Sequence, residues 1–356
     1  MIVVSRRASR TRAAAPELTF ASCIGLILLR ISKPPDDLAF TPATGQRLQW
    51  AQLPDHVRLG LETRLGSAVT RADTQPGGFS PGVAARLGLA NGRSASVKAV
   101  SPSINPHSPG MHRREARIAA ALPAWVPTPR LLDTYDDGDW IALIFEDIQG
   151  RTPHLPWRPS ELERVLAAVT ELTAMLTPAP IGVERVSDRM GDMFSGWRRL
   201  AADVRAAKDD LRGVDPWVGR HLSDLVVLEL EGPSAADGTT LLHTDIRADN
   251  LLLTPAKVFF VDWPWASLGA AWIDLLFMLP SVAMQRGPKP WEIFDVHPMA
   301  RGVSDSRVTA MVAVITGFFI WQSRQPSPPG LPTIRAFQRD QGYPALEWLK
   351  RRTGWR

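Results

Sequence analysis

Between His243 and Trp263 the chain reads His243-Thr-Asp-Ile-Arg-Ala-Asp-Asn250, then an apolar run that ends in Asp262-Trp263. This H-x-D-x-x-x-x-N stretch, with a second Asp twelve residues after Asn250, constrains the fold more than any other segment. Its polar residues are framed by Leu241-Leu242, Leu251-Leu252-Leu253 and Val258-Phe259-Phe260-Val261. Short apolar runs of this kind read as strands, and they would pin the polar groups at the mouth of a rigid hairpin. The residue types suit phosphoryl transfer. Asp245 is a carboxylate able to accept the proton of a substrate hydroxyl. Asn250 and Asp262 are hard oxygen ligands for a Mg²⁺ ion bridging nucleotide phosphates. Three fixed residues can arise by chance on a surface loop. The second Asp, the apolar framing and Asp274 in Trp272-Ile-Asp-Leu-Leu argue against chance here.

At these residues the chain resembles the aminoglycoside phosphotransferase family, whose members share a bilobal fold with protein kinases. The family usually carries Gly between the His and the Asp, where this chain has Thr244. Its second motif is usually Asp-Trp or Asp-Phe, matched here by Asp262-Trp263. The resemblance implies an α+β, bilobal protein-kinase-like fold, with a small β-rich N-lobe holding one helix and a larger, mostly helical C-lobe. Residues 46–149 would form the nucleotide-binding N-lobe, and residues 150–356 the C-lobe with the catalytic loop and acceptor site. It implies that Asp245 orients or deprotonates the acceptor hydroxyl, that His243 braces the loop, and that Asp274 ties down the loop backbone. Arg247 stands where protein kinases carry a lysine near the γ-phosphate. It has two readings, a counter-charge during transfer or an exposed arginine. Asp249 either faces solvent or caps the loop backbone.

In kinase-like folds a strand lysine contacts the α- and β-phosphates and a helix glutamate holds that lysine. Lys98 lies in the alternating run Ser96-Val97-Lys98-Ala99-Val100, after Asn91-Gly92, a two-residue type I′ turn signal. Glu115 follows in the helical run from Pro109 to Leu122. Gly77 and Gly78 open a glycine-rich stretch that either lets the backbone approach phosphates, having no Cβ to clash, or is a plain turn. The strand ending at Glu146 and Ile148 sits where the resembled family binds the nucleotide base. The expected contacts are the Glu146 carbonyl and the Ile148 amide and carbonyl, with ATP or GTP as phosphate donor.

A single cysteine, Cys23, allows no internal disulfide and fits a reducing compartment. The net charge of +5 over 356 residues is a weak field, and no zinc-ligand spacing or RNA-binding signature is present, so nucleic acid is not an expected partner. Residues 1–45 fit the rest poorly. Their apolar run from Leu18 to Leu29 is short for a bilayer. It reads as a helix packing on the N-lobe or as a start codon assigned too far upstream, and ATP dependence implies a cytoplasmic location. Ser160 is a candidate cap for a helix to about Leu176. Met193 to Leu211 reads as one helix, and Ser304 to Trp321, interrupted by Gly317, as a buried C-lobe helix.

The resemblance implies a small-molecule acceptor bearing a hydroxyl. From Leu275 to the end, Lys and Arg outnumber Asp and Glu by more than two to one. That tilts the expectation toward an uncharged or anionic acceptor rather than a polycation. Trp291, Trp321 and Trp348 are read either as a stacking platform or as helix-packing core. Two other classes stay in view. An inactive kinase-like nucleotide- or ligand-binding protein would lack one of Lys98, Asp245, Asn250 or Asp262, and all four are present. A protein kinase would show an Ala-Pro-Glu signature after the second Asp, whereas here Trp263 runs almost directly into the next helical segment.

Overall fold

The computed structural model describes residues 40–356. The apolar run 18–29, Cys23 and most of the proposed extension lie outside the described residues. The N-terminal part is built on one sheet of β1 (Arg47–Leu48), β2 (Val69–Thr74), β3 (Gly82–Leu89), β4 (Ser94–Val100), β5 (Leu131–Asp136) and β6 (Ile141–Glu146). The order is β1-β3-β4-β6-β5 with β2 also on β3, and every pairing is antiparallel except the short β1–β3 contact. The two-residue period of a strand sends alternate side chains of β4 to opposite faces. Ala95, Val97 and Ala99 join a core with Val57, Leu61 and Leu65 of α1 (Asp55–Leu65). Val100 joins Ile141, Leu143 and Phe145 on the other face, against Ala116 and Ala119 of α2 (Ser108–Ala121). Lys98 shares this second face, which turns it toward Glu115 of α2. Both faces of the sheet are covered, consistent with the nearly unbroken apolar run of β6. The lobe carries α2, the helix the resemblance implied, together with α1 on the opposite face of the sheet.

The β3–β4 turn differs from the type I′ expectation. That turn needs positive φ at both central residues, and of Asn91 and Gly92 only Gly92 has it, at +81°. The Gly92 N–H donates to the Leu89 carbonyl at 3.0 Å, and the Leu89 N–H donates to the Arg93 carbonyl at 3.0 Å. Asn91 caps the turn instead, its side-chain oxygen accepting from the Arg93 N–H.

The second lobe is mostly helical: α3 (Pro159–Met175), α4 (Val186–Arg189), α5 (Gly196–Arg205), α6 (Pro216–Leu230), α7 (Gly232–Ala236), α8 (Ile273–Met284), α9 (Pro290–Phe294), α10 (Asp305–Ser323) and α11 (Ile334–Thr353). Two small antiparallel pairs, β7 (Thr240–Leu242) with β10 (Ser267–Gly269) and β8 (Leu251–Leu253) with β9 (Val258–Phe260), lie between α7 and α8. Ser160 is not the cap of α3. The helix starts at Pro159, where a missing N–H is harmless, and Arg158 holds the cap position. The segment expected as one helix from Met193 to Leu211 is a 3₁₀ turn followed by α5, which ends at Arg205 before residues of positive φ at Ala207 and Leu211. α10 is buried along most of its length. Among the described residues no helix is long and apolar enough to cross a membrane.

Candidate active site

The stretch from His243 to Asn250 leaves buried β7 and is fixed from below by α8. Asp274 accepts the N–H of His243 at 2.8 Å and of Thr244 at 2.7 Å. The His243 ring is fully buried against Trp263, with centroids 4.6 Å apart. Its Nδ1 accepts from the Asp245 N–H at 3.3 Å, so Nε2 carries the hydrogen and donates to the Val261 carbonyl at 2.9 Å. Burial lowers its pKa to about 4, keeping it neutral. His243 and Asp274 thus make the backbone contacts expected of braces. Thr244 sits at φ +65°, which is costly for a β-branched residue. Its hydroxyl proton is shared between the carbonyls of His243 at 2.7 Å and Trp265 at 2.9 Å.

Around this brace the chain assembles its charges. Lys98 Nζ lies 2.7 Å from Glu115 Oε1 and 2.9 Å from Asp262 Oδ1, joining β4, α2 and the second lobe at one point. Burial opposes the lysine's charge, but Asp262 and Glu115 outweigh it and raise its pKa. Asp262 stays ionised despite partial burial because Lys98 holds its pKa well below the usual carboxylate range, while burial of Glu115 outweighs Lys98 and pushes that carboxyl up. Asn250 donates through Nδ2 to the Asp245 carbonyl at 2.8 Å and to Asp245 Oδ2 at 3.1 Å. That turns its amide oxygen away from Asp245. Burial pushes Asp245 up to about 6, against the pull of Arg247 and with help from Asp249 and Asp262.

Arg247 is not an exposed arginine. It is ion-paired with Asp245 and with Asp249 (2.8 Å), and its guanidinium lies 5.6 Å from the Phe79 ring centroid and 5.7 Å from that of Phe337. Asp249 therefore neither faces solvent nor caps backbone. It grips Arg247 through both oxygens, at 3.1 and 2.8 Å.

Lys98, Glu115, Asp245, Arg247, Asn250 and Asp262 converge; the remaining candidates stand apart from this cluster. Gly77 and Gly78 have positive φ (+86° and +76°) in the loop between β2 and β3 and pack on residues 43–47, while the next residues, Phe79 and Ser80, reach the cleft. Arg47 of β1 donates to the carbonyls of Gly77 and Ser80. Burial lowers its pKa, partly offset by Asp262 and Asp249, so it belongs to the same electrostatic cluster. Sequence reasoning missed Arg47 because nothing near it in the chain hints at a loop thirty residues away. Glu146 ends β6. The Ile148 carbonyl accepts from Gly150 N–H at 2.8 Å and Arg86 at 3.3 Å, leaving its amide as the simpler contact for a base.

The cluster opens on a cleft of about 840 Å³, walled by Asp245, Arg247 and Asp262 together with Arg189, Trp265, Phe318, Arg335, Phe337 and Gln341. The tryptophan that lines this cleft is Trp265. Trp348 is wholly buried and T-shaped against Phe294, Trp321 donates to Asp203 at 2.9 Å, and Trp291 lies near Lys289 and Arg351. The three tryptophans named from sequence do not line it, because helix packing claims them first. For Mg²⁺ the donor set fits. Asp262 supplies an ionised carboxylate and Asn250 an amide oxygen, and nucleotide-bound Mg²⁺ takes its remaining ligands from phosphates and water.

Residues 78–297 match the phosphotransferase enzyme family (APH). Acyl-CoA dehydrogenase family member 10 from Mus musculus is 25% identical over 221 residues, which is 56% of this chain and 18% of that protein. The chain thus spans under a fifth of that relative's length. Among solved structures, a thermostable mutant of aminoglycoside phosphotransferase APH(4)-Ia, in ternary complex with AMP-PNP and hygromycin B, is similar with a TM-score of 0.58. It is 17% identical, and the match covers 84% of this chain and 99% of that one. Choline kinase LicA from Streptococcus pneumoniae gives a TM-score of 0.51 at 12% identity, over 82% of this chain and 100% of the other. At these identities the likeness is one of fold, and the fold is kinase-like.

Proposed function

We propose that this chain, which belongs to the phosphotransferase enzyme family, moves the γ-phosphate of ATP or GTP onto a hydroxyl of a small molecule. The observation that carries the reading is the Lys98 ammonium held between Glu115 and Asp262, 2.7 and 2.9 Å away, beside the Asp245–Asn250 pair. An ordinary surface strand lysine has no reason to bridge a buried and a half-buried carboxylate from separate lobes.

The acceptor oxygen attacks the γ-phosphorus, its proton passes to Asp245, and the bond to the β–γ bridging oxygen breaks to release the nucleoside diphosphate. Asp245 suits this role, since a base raised to about 6 is ionised near neutral pH yet still basic enough to take a proton. Arg247 orients Asp245 and offers positive charge next to the transferring group. Lys98 holds the phosphates, and Glu115 holds Lys98. Asn250 and Asp262 would hold Mg²⁺, which when bound supplies further neutralisation of phosphate charge. Gly77 and Gly78 shape the loop over the nucleotide, and Glu146 and Ile148 carry its base. In this reading residues 46–149 are the nucleotide lobe and residues 150–356 the lobe of catalysis and acceptor, and the work is done in the cytoplasm. A small acceptor agrees with the short path from Trp263 to α8, which leaves no room for a protein-docking segment. It agrees also with the solved neighbours, one bound to hygromycin B and one a choline kinase.

The test is Mg²⁺-dependent transfer from ATP and from GTP to pooled hydroxylated acceptors, with Asp245→Asn as control. Acceptor-dependent transfer lost in the variant is the expected result. Equal transfer by both proteins would overturn the assignment, nucleotide binding without transfer would mean that the pool lacks the acceptor, and neither transfer nor nucleotide binding would leave a kinase-shaped binding protein.

A further inference from the structure

We infer that the acceptor carries an anionic group, a carboxylate or a phosphate, and that Arg189 and Arg335 receive it in the cleft beside Asp245. The inference rests on the phosphotransferase reading of that site. Arg189 ends α4 and lies over the Trp265 ring, with its guanidinium carbon 4.6 Å from the centroid. Its Nη2 meets only the weak acceptor Met111 Sδ at 3.7 Å, and its Nε is buried with no hydrogen-bond partner. No ion pair joins it to a carboxylate among the described residues. The nearby Glu184 is already engaged by Arg114 at 2.6 Å. Several other half-buried arginines are matched with acids, Arg247 with Asp245 and Asp249, Arg86 with Asp147, Arg324 with Asp209, whereas Arg307 is tied down by three hydrogen bonds to the Ala235 and Asp237 carbonyls. Leaving a guanidinium half-buried without an ion-pair partner is unfavourable, and in the wall of the cleft burial and the nearby Arg114 outweigh what Glu184 offers this one.

Arg335 repeats the pattern. All the acceptors it meets are neutral: the Pro326 carbonyl at 3.0 Å, Gln338 Oε1 at 2.9 Å, and Gln322 Oε1. Those contacts fix the side chain and leave its charge uncompensated. Apart from Glu115, Asp245 and Asp262, the carboxylates in this wall are Asp188 and Asp192. Both are exposed, and Asp192 is ion-paired with Arg199. A polycationic acceptor would meet two guanidinium groups that no carboxylate ion-pairs. A planar carboxylate or a phosphate matches the donor fork of arginine.

Transfer from Mg–ATP would be measured on matched acceptors: a hydroxy acid, its amide and the corresponding amino alcohol, and a sugar phosphate beside the free sugar. The expected result is preference for an anionic member. Arg189→Gln should raise its KM tenfold or more while leaving the nucleotide KM unchanged, and Arg189→Lys should recover part of the loss. Preference for the carboxylate or the phosphate arm identifies the group. In parallel, the protein loaded with Mg–AMP-PNP would be titrated with malate and with inorganic phosphate. The wild type should bind one of them at least tenfold more tightly than Arg189→Gln. Preference for a neutral or cationic acceptor, an unchanged KM in Arg189→Gln, or no anion binding by the loaded wild type overturns the inference. Loss of nucleotide binding and of all transfer would instead sink the phosphotransferase reading beneath it.

Discussion

Burial lifts the Asp245 carboxyl to about 6, and a base must be ionised to work, so the sign of the pH dependence follows. As pH falls through 6 the carboxylate is protonated and kcat/KM should drop about tenfold per pH unit, with a plateau above. A profile flat down to pH 5 would remove Asp245 from the proton path. Asp245→Asn should lower kcat by roughly 10²- to 10⁴-fold with nucleotide affinity kept, checked by steady-state kinetics beside nucleotide titration. Thr244 yields a second prediction. Its φ of +65° costs about 1–2 kcal/mol relative to glycine, and its hydroxyl returns about 1 kcal/mol of hydrogen bonding. Thr244→Ala keeps most of the strain and loses the bond, whereas Thr244→Gly loses both. The glycine variant should therefore melt above the alanine variant. The departure at Thr244 was legible in the sequence, but its tie to Trp265 was not, since that contact depends on where a loop twenty-one residues later returns. Arg47 and Asp249 were illegible for the same reason: a lone Arg or Asp carries no pattern until its partner is located.

At the scale of elements, period decided what could be read. The alternation in β4 and the 3.6-residue pattern of α2 brought Lys98 and Glu115 onto facing surfaces, and both elements are found within a residue or two of their expected ends. Ends and turns fared worse where one residue type serves several geometries, as with Asn91-Gly92 and Ser160. Glycines inside helices are the sharpest case. A Cβ on Gly317 of α10 would lie 2.7 Å from the Trp197 ring, so the residue is there for close packing against α5. A Cβ on Gly342 of α11 meets nothing nearer than 3.5 Å. Gly317→Ala should cost about 1–3 kcal/mol through overpacking. Gly342→Ala should be neutral or gain up to about 1 kcal/mol from helix propensity. Denaturant unfolding of the two variants checks this, and equal effects would contradict the packing account.

Across the whole molecule, the order of motifs was enough to foresee two lobes with Lys98, Glu115 and Asp262 meeting between them. The contacts that fasten the lobes were not foreseeable. Thr41 reaches Asp340, the Gln46 N–H donates to the Gly330 carbonyl at 2.8 Å, and Asn105 donates to the Pro329 carbonyl at 2.9 Å. Backbone and small polar groups of this kind leave no periodic trace. What unites the lobes chemically is the junction of Lys98, Glu115 and Asp262, and the most direct test separates binding there from chemistry at Asp245. Melting temperature would be measured with and without Mg–AMP-PNP for the wild type, Asp262→Asn and Asp245→Asn, alongside transfer from Mg–ATP. At a hundredfold excess over Kd, ligand adds about 2.7 kcal/mol of stability. The wild type and Asp245→Asn should therefore both rise by several degrees, Asp262→Asn should not, and only the wild type should transfer phosphate. An equal rise in Asp262→Asn, or undiminished transfer by Asp245→Asn, would contradict the site described.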